Sequence, residues 1–314
     1  MTAGKRRRTK RQKEKMQKTP KLSYVSPTDR LLKKAVINSI EQLTGRHKLE
    51  KMYATALQNY GTQTSFWEAA ISALQLKLVY DQARLAAIPE QGPIVFIANH
   101  PYGVLDGLVL CHLAAQTRRN FKILIMAGLC REERIAAHML PIDFSETDEA
   151  VRVNVETKRQ ALETLRQGGA VVIFPAGGIA TSRGPLGQAV DLDWKLFAAK
   201  LIQMTQATVV PIYFHGQNSR LFQIISQFSL TLRLSLIIRE VNKKIAQTLP
   251  VTIGEPIPYT RLAHIKSRRE LTAYLRNVVY LLGGRHDAAC SFSKFESKTR
   301  FSKLKRVAEK ELNA

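Results

Sequence analysis

From Ile94 onward the chain alternates short apolar runs with longer stretches of helical period. Ile94 to Ala98 (IVFIA) and Ala170 to Phe174 (AVVIF) are unbroken apolar runs, the pattern of strands buried on both faces of a parallel sheet. Lys122 to Ala127, Leu140-Pro141-Ile142-Asp143, Thr208 to Phe214 (TVVPIYF), Leu230 to Ile238 (LTLRLSLII) and Val251 to Gly254 read as further strands. Between them, Gly107 to Gln116, Val155 to Gln167, Asp193 to Gln206 and Leu271 to Leu282 carry the 3.6-residue period. Gly168-Gly169 is a helix stop. This alternation predicts an α/β fold: a mixed, mostly parallel sheet flanked by helices.

Before Ile94 the pattern is helical and amphipathic. Leu31, Leu32, Ala35, Val36, Ile40 and Leu43 predict a helix within Asp29 to Leu57, capped by Thr28 or Asp29. Ser65 to Leu85 forms a second amphipathic segment, with Trp67, Ile71, Leu74 and Leu78 interleaved with Lys77 and Arg84. Pro89 and Gly92-Pro93 then punctuate the chain. The organisation read from these shifts is a basic arm over 1–21, an N-terminal helical, membrane-associating region over 22–90, an α/β domain over 91–284 and a basic tail over 285–314. No internal repeat is visible.

Charge narrows the possible partners. The 314 residues carry 48 Lys and Arg against 25 Asp and Glu, a formal net charge of +23. Such an excess calls for a polyanion: nucleic acid, an anionic membrane surface or a phosphorylated substrate. Residues 1–21 hold ten of the basic residues, one Glu and no aromatic. A basic arm plus amphipathic segments is the two-signal combination of peripheral membrane binding. Nucleic-acid binding would show aromatics among the basic residues or a known binding module, and neither is present. No apolar core of a signal peptide follows the basic N-terminus. The nearest approach to a span of ~18 apolar residues, Leu221 to Ile238, is interrupted by Gln223, Gln227 and Arg233. The expectation is a peripheral protein on the cytoplasmic face of a membrane, with no spanning helix. Cys111, Cys130 and Cys290 form no CxxC pair, which argues against a disulfide framework or a zinc site.

Two stretches carry candidate chemistry. Asn99-His100-Pro101-Tyr102-Gly103-Val104-Leu105-Asp106 directly follows a predicted strand and precedes a helix, where α/β folds place their sites. A histidine near neutrality in pKa, with a carboxylate to orient it, can remove a hydroxyl proton. The structural alternative has His100 capping a turn and Asp106 capping the helix. The second stretch, Phe174-Pro175-Ala176-Gly177-Gly178 through Ser182, Arg183 and Gly184, runs from a strand into a glycine-containing loop with hydroxyls and an arginine. Backbone amides, hydroxyls and a guanidinium suit an anionic or polar head group. It has neither the order of a Walker A loop nor that of a nucleophile elbow.

Together these motifs resemble the glycerolipid (lysophospholipid, PlsC-type) acyltransferase superfamily. The resemblance runs over roughly 92–258 and includes Val209-Val210-Pro211-Ile212 and Ile253-Gly254-Glu255-Pro256-Ile257. Thr44-Gly45-Arg46 through Tyr53 and the HP-aromatic-G form are similar to the haemolysin-like, ornithine-lipid acyltransferase branch. Two departures stand out: five residues separate His100 from Asp106 where the usual signature has four, and Ala176 replaces the usual glutamate. The resemblance implies direct acyl transfer from acyl-ACP or acyl-CoA to the hydroxyl of a lysolipid, of lysophosphatidic acid or lyso-ornithine lipid type. His100 would be the general base, Asp106 its orienter, and backbone amides would hold the oxyanion. Phe174, Pro175, Gly177, Gly178, Ser182 and Arg183 would line the acceptor site, with Arg152 a weaker candidate. No metal or bound cofactor is implied.

Two alternatives keep a place, a non-catalytic lipid-binding relative and a basic nucleic-acid-binding protein. Other residues read as structural. His215 reads as a satisfied buried histidine and Trp194 as core, while Trp67 fits either core or interface. Cys111 and His112 read as packed helix positions. His47, His138, His264 and His286 read as solvent-exposed.

Overall fold

A computed structural model describes residues 22–23, 30–60, 65–130, 133–182, 184 and 187–285. The 1–21 arm, Thr28 and Asp29, Arg183, and the tail with His286 and Cys290 lie outside them. Seven strands form one sheet: β1 (Lys77–Val79), β2 (Ile94–Ala98), β3 (Phe121–Met126), β4 (Met139–Ile142), β5 (Ala170–Ile173), β6 (Thr208–Phe214) and β7 (Thr248–Ile253). Their order is β1-β7-β6-β2-β5-β3-β4. Every neighbouring pair is parallel except β6 with β7. The expected mixed, mostly parallel α/β sheet is what the chain builds.

The unbroken apolar runs are explained by burial on two faces. All five residues of β2 and all four of β5 are buried. Ile94, Phe96 and Ala98 face one core cluster while Val95 and Ile97 face the other, as the two-residue period of a strand requires. The first cluster packs the sheet against α2 (Arg46–Asn59), α3 (Phe66–Ala73), α5 (Val104–Thr117) and α9 (Leu230–Lys244). The second packs it against α6 (Asp148–Arg166), α7 (Phe197–Thr205) and α11 (Arg268–Leu282). Each fully buried Leu, Ile, Val or Phe contributes about 1.5–3 kcal/mol, so both faces stabilise the frame that carries the loops. The remaining α-helices among the described residues are α1 (Leu31–Leu43), α4 (Gln82–Ala86), α8 (Arg220–Ser226) and α10 (Tyr259–Leu262). Among the described residues, no helix is long and apolar enough to cross a membrane.

The 22–90 region shares this core. Leu49, Leu57, Phe66 and Trp67 belong to the same cluster as Phe96. The predicted helix over 29–57 is two helices, α1 and α2, that turn at Thr44 and Gly45. The segment over 65–85 is not one amphipathic helix. Ser65 caps α3, the chain then forms β1, and Asp81 caps α4. β1 escapes pattern reading because it is three residues long and pairs only with β7, far along the chain.

Leu230 to Ile238 is a helix, not a strand. Its first seven residues alternate as a strand's would, but the segment joins no strand of the sheet and continues as one helix to Lys244, with Ser235, Leu236, Ile237 and Ile238 buried in succession. The same residues also satisfy helical spacing, at 230, 234, 237 and 241, and α9 lies against α1 and α8. The Ser229 hydroxyl accepts from the Leu232 amide at 3.3 Å and so starts the helix. Two further expectations are corrected. Asp193 to Phe197 is mostly loop, and α7 begins only at Phe197. His138 is half-buried and stacks on Phe121, with centroids 4.5 Å apart and Nδ1 2.9 Å from the Phe121 carbonyl.

Replacing Ser229 by Ala is expected to lower unfolding free energy by about 1 kcal/mol. The check is a shifted denaturant midpoint at unchanged slope.

Candidate active site

The two motif loops leave the carboxyl ends of the adjacent parallel strands β2 and β5, and the loop that begins with His215 leaves the same end of β6. After β2 the chain crosses toward β3 and β4, and after β5 it crosses back to β6 on the other side of β2. The carboxyl end of β2 is therefore the place where connections diverge, the position at which α/β folds put their sites. His100 and Phe174 meet there, and their rings stack with centroids 4.0 Å apart and planes 22° from parallel.

The position of His100 starts one residue earlier. Asn99 is buried and pairs twice with the backbone of Phe214: its Nδ2 donates to the carbonyl at 2.9 Å, and its Oδ1 accepts from the amide at 2.7 Å. The carbonyl of His100 accepts from the Ala180 amide at 2.7 Å. Its amide donates to Asp191 Oδ1 at 3.0 Å. Both ends of the residue are tied before its ring makes any contact.

Asp106 lies in the first turn of α5 and is fully buried. Its Oδ2 accepts from the amides of Tyr102 (2.7 Å) and Gly103 (2.9 Å) and lies 3.1 Å from His100 Nδ1. The bond to Gly103 is half of a capping box, and the helix N-terminus favours the negative charge. Burial raises the Asp106 pKa, opposed by these hydrogen bonds and by the His100 charge. With Nδ1 donating to Asp106, the neutral ring carries its lone pair on Nε2. Nε2 has no hydrogen-bond partner among the described residues. A nitrogen of this kind, on a partly exposed ring backed by a carboxylate, can accept a proton.

Gly103 lets the two motifs close on each other. Its φ is +79°, and a Cβ there would stand 2.6 Å from Ile179 Cδ1. Phe174 to Gly177 forms a tight turn in which the Gly177 amide donates to the Phe174 carbonyl at 2.9 Å. Gly177 is exposed, Gly178 half-buried, and Pro175 and Ala176 are buried. Ser182 is buried and its hydroxyl donates to the Gly184 carbonyl at 2.6 Å, so that hydroxyl is occupied within the loop. Arg152 is not brought to this set: its side chain is 80% exposed on α6, 4.0 Å from Glu149.

Sequence reading missed Asp191, which lies in the loop before α7. It is buried, and its Oδ2 accepts from Trp194 Nε1 at 2.9 Å. Burial pushes its pKa from 3.8 up to about 6, against the lowering effect of the Trp194 and His100 hydrogen bonds. The only signal in the sequence is an acidic residue inside an apolar run, Ala189-Val190-Asp191-Leu192. His215, at the end of β6, is half-buried with Nε2 2.7 Å from Thr252 Oγ1, the satisfied histidine expected. Trp194, Cys111 and Trp67 are all buried.

A family model described as Acyltransferase matches residues 63–289. The chain belongs to the acyltransferase family. Two relatives, from Phocaeicola vulgatus and Bacteroides thetaiotaomicron, are each a lyso-glycine lipid O-acyltransferase. Each is 28% identical over 225 residues, covering 69% of this chain and 77% and 79% of those proteins respectively. Among solved structures, the 1-acyl-sn-glycerophosphate acyltransferase PlsC of Thermotoga maritima matches over 79% of this chain and 78% of its own, with 17% identity and a TM-score of 0.44. The His100–Asp106 pair and the Phe174 turn both fall inside the span matched to the acyltransferase family.

In this acyltransferase, Asp106→Asn would keep an oxygen for the Tyr102 and Gly103 amides and for His100 Nδ1 but remove the negative charge beside the ring. Turnover is expected to fall about 100-fold or more, measured as steady-state kcat on folded protein.

Proposed function

We propose that the chain moves a fatty acyl group from an acyl thioester, acyl-ACP or acyl-CoA, to the hydroxyl of a lysolipid. The observation that carries this reading is the 3.1 Å contact of His100 Nδ1 with the buried Asp106 carboxylate at the carboxyl end of β2, which leaves Nε2 to act. Nε2 takes the proton of the acceptor hydroxyl as its oxygen attacks the thioester carbonyl. Asp106 stabilises the imidazolium that forms. The thiolate then leaves, drawing on the same proton. The amides of Gly178 and Ile179 have no hydrogen-bond partner among the described residues, and they are the proposed donors to the oxyanion. No bound cofactor enters this scheme.

For the acceptor, the relatives from Phocaeicola vulgatus and Bacteroides thetaiotaomicron support a lysolipid with an amino-acid head, the lyso-glycine lipid in their names. Gly177 and Gly178 expose backbone in the head-group turn, and Phe174 holds the base from behind. Arg183 belongs to the same loop and lies outside the described residues.

An anionic membrane is the proposed platform. Leu31, Leu32 and Leu43 on α1 are 84%, 79% and 87% exposed. Three leucines open to solvent on one helix, in a chain whose residues 1–21 are strongly basic in sequence, suit a lipid surface more than water. Each Lys or Arg near such a surface contributes about 1 kcal/mol.

Purified protein given acyl-CoA or acyl-ACP should acylate lyso-glycine lipid in preference to lysophosphatidic acid. His100→Ala should reduce kcat by about 100- to 10,000-fold; turnover at the wild-type rate would overturn the mechanism. Deletion of residues 1–21 should weaken co-sedimentation with anionic vesicles while leaving turnover of a detergent-dispersed acceptor intact. Unchanged vesicle binding would remove the arm from the picture.

A further inference from the structure

We infer that Asp191 is a positioning residue for His100, holding the imidazole in register through its backbone amide. The inference rests on the reading of His100 as the base. It adds a residue that the two motifs do not contain, from a loop between them and α7.

Asp191 Oδ1 accepts the His100 amide at 3.0 Å and Oδ2 accepts Trp194 Nε1–H at 2.9 Å. Both partners are obligate donors, and they come from different loops. The backbone of Asp191 is itself anchored on α11: its amide donates to the Tyr280 hydroxyl oxygen at 2.8 Å, and its carbonyl accepts Arg276 Nη2 at 3.0 Å. The carboxylate is therefore a fixed post on the second core, reaching to the residue that carries Nε2. The His100 carbonyl is held by the Ala180 amide, so the two bonds fix the peptide groups on either side of the Cα from which the ring projects. A displacement of about 1 Å in such a group costs roughly 100-fold in rate.

The post is expensive for the fold, which marks it as more than packing. The groups facing Asp191 are His100, Trp194, Arg276 and Tyr280, with Tyr213 of β6 close enough to interact electrostatically. Even with Arg276 and two donors present, burial leaves its pKa near 6. A carboxylate raised in this way destabilises the native state progressively as pH climbs from about 4 through 6. Groups kept at a cost to stability concentrate where function needs them.

Only a carboxylate can accept from both donors. An amide must turn its NH2 toward one of them, and this gives the test. Asp191→Asn, Trp194→Phe and the double variant are assayed with acyl-CoA and lyso-glycine lipid, on protein shown folded by circular dichroism. Asp191→Asn should lower kcat about tenfold or more with acceptor KM within about twofold. In the double variant the amide oxygen again meets one donor, and kcat should return to within about threefold of Trp194→Phe alone. Asp191→Asn at the wild-type rate, or a double variant as slow as Asp191→Asn, would overturn the inference. Where Asp191→Asn alone does not fold, the double variant against Trp194→Phe decides: near-equal rates support it and a tenfold deficit refutes it. A wild-type protein inert in the assay, or His100→Ala at full rate, counts against the functional reading and not against Asp191.

Discussion

A negative charge without a lysine or arginine bonded to it is buried in the first turn of α5, and the site is built around the need to satisfy it. Asp106 Oδ2 receives three contacts, from the amides of Tyr102 and Gly103 and from His100 Nδ1. An isolated carboxylate in that position would be too costly to keep ionised. The loop from His100 to Gly103 wraps the carboxylate so that backbone amides and one imidazole take the place of water at Oδ2, while Oδ1 is buried with no hydrogen-bond partner among the described residues. That wrapping defines the helix start and the ring's tautomer, and it leaves Nε2 without a hydrogen-bond partner among the described residues. The extra residue between His100 and Asp106, compared with the usual signature, is absorbed by this turn, and the contact is made at 3.1 Å.

The frame beneath is rigid for an ordinary reason. β2 has strands on both sides and helices on both faces, so its carboxyl end has little freedom of its own. Asn99 adds a second tie by bonding twice to Phe214 across the sheet. The proposed base thus stands on a strand end, a cross-strand clasp and a carboxylate beneath its ring. Catalysis by positioning requires such redundancy, since the chemistry is supplied by one nitrogen and the geometry by everything around it.

Legibility from sequence followed the range of the interactions. β2, β5 and β6 were readable because their apolar runs are local, and the motif loops because they follow those runs. α9 was misread because LTLRLSL satisfies a strand's period before Ile237 and Ile238 break it. β1 was hidden in an amphipathic segment, since its only partner is β7. His138 looked exposed among charged neighbours, yet it stacks on Phe121 from a different element. Ser182 carries a hydroxyl of the right kind, but its own loop uses it.

By itself the sequence determined which strands are buried on two faces, where their carboxyl ends fall and which side chains stand there. It also determined the distribution of charge, with the basic arm separate from the motifs. These features depend on residue type and on neighbours a few positions away. Only the tertiary structure decided that Asp106 reaches His100, that Ile179 needs a glycine opposite it, and that Asp191 holds the His100 amide across ninety residues of chain. Such contacts join loops that have no common period, and they exist only once both faces of the sheet have been packed.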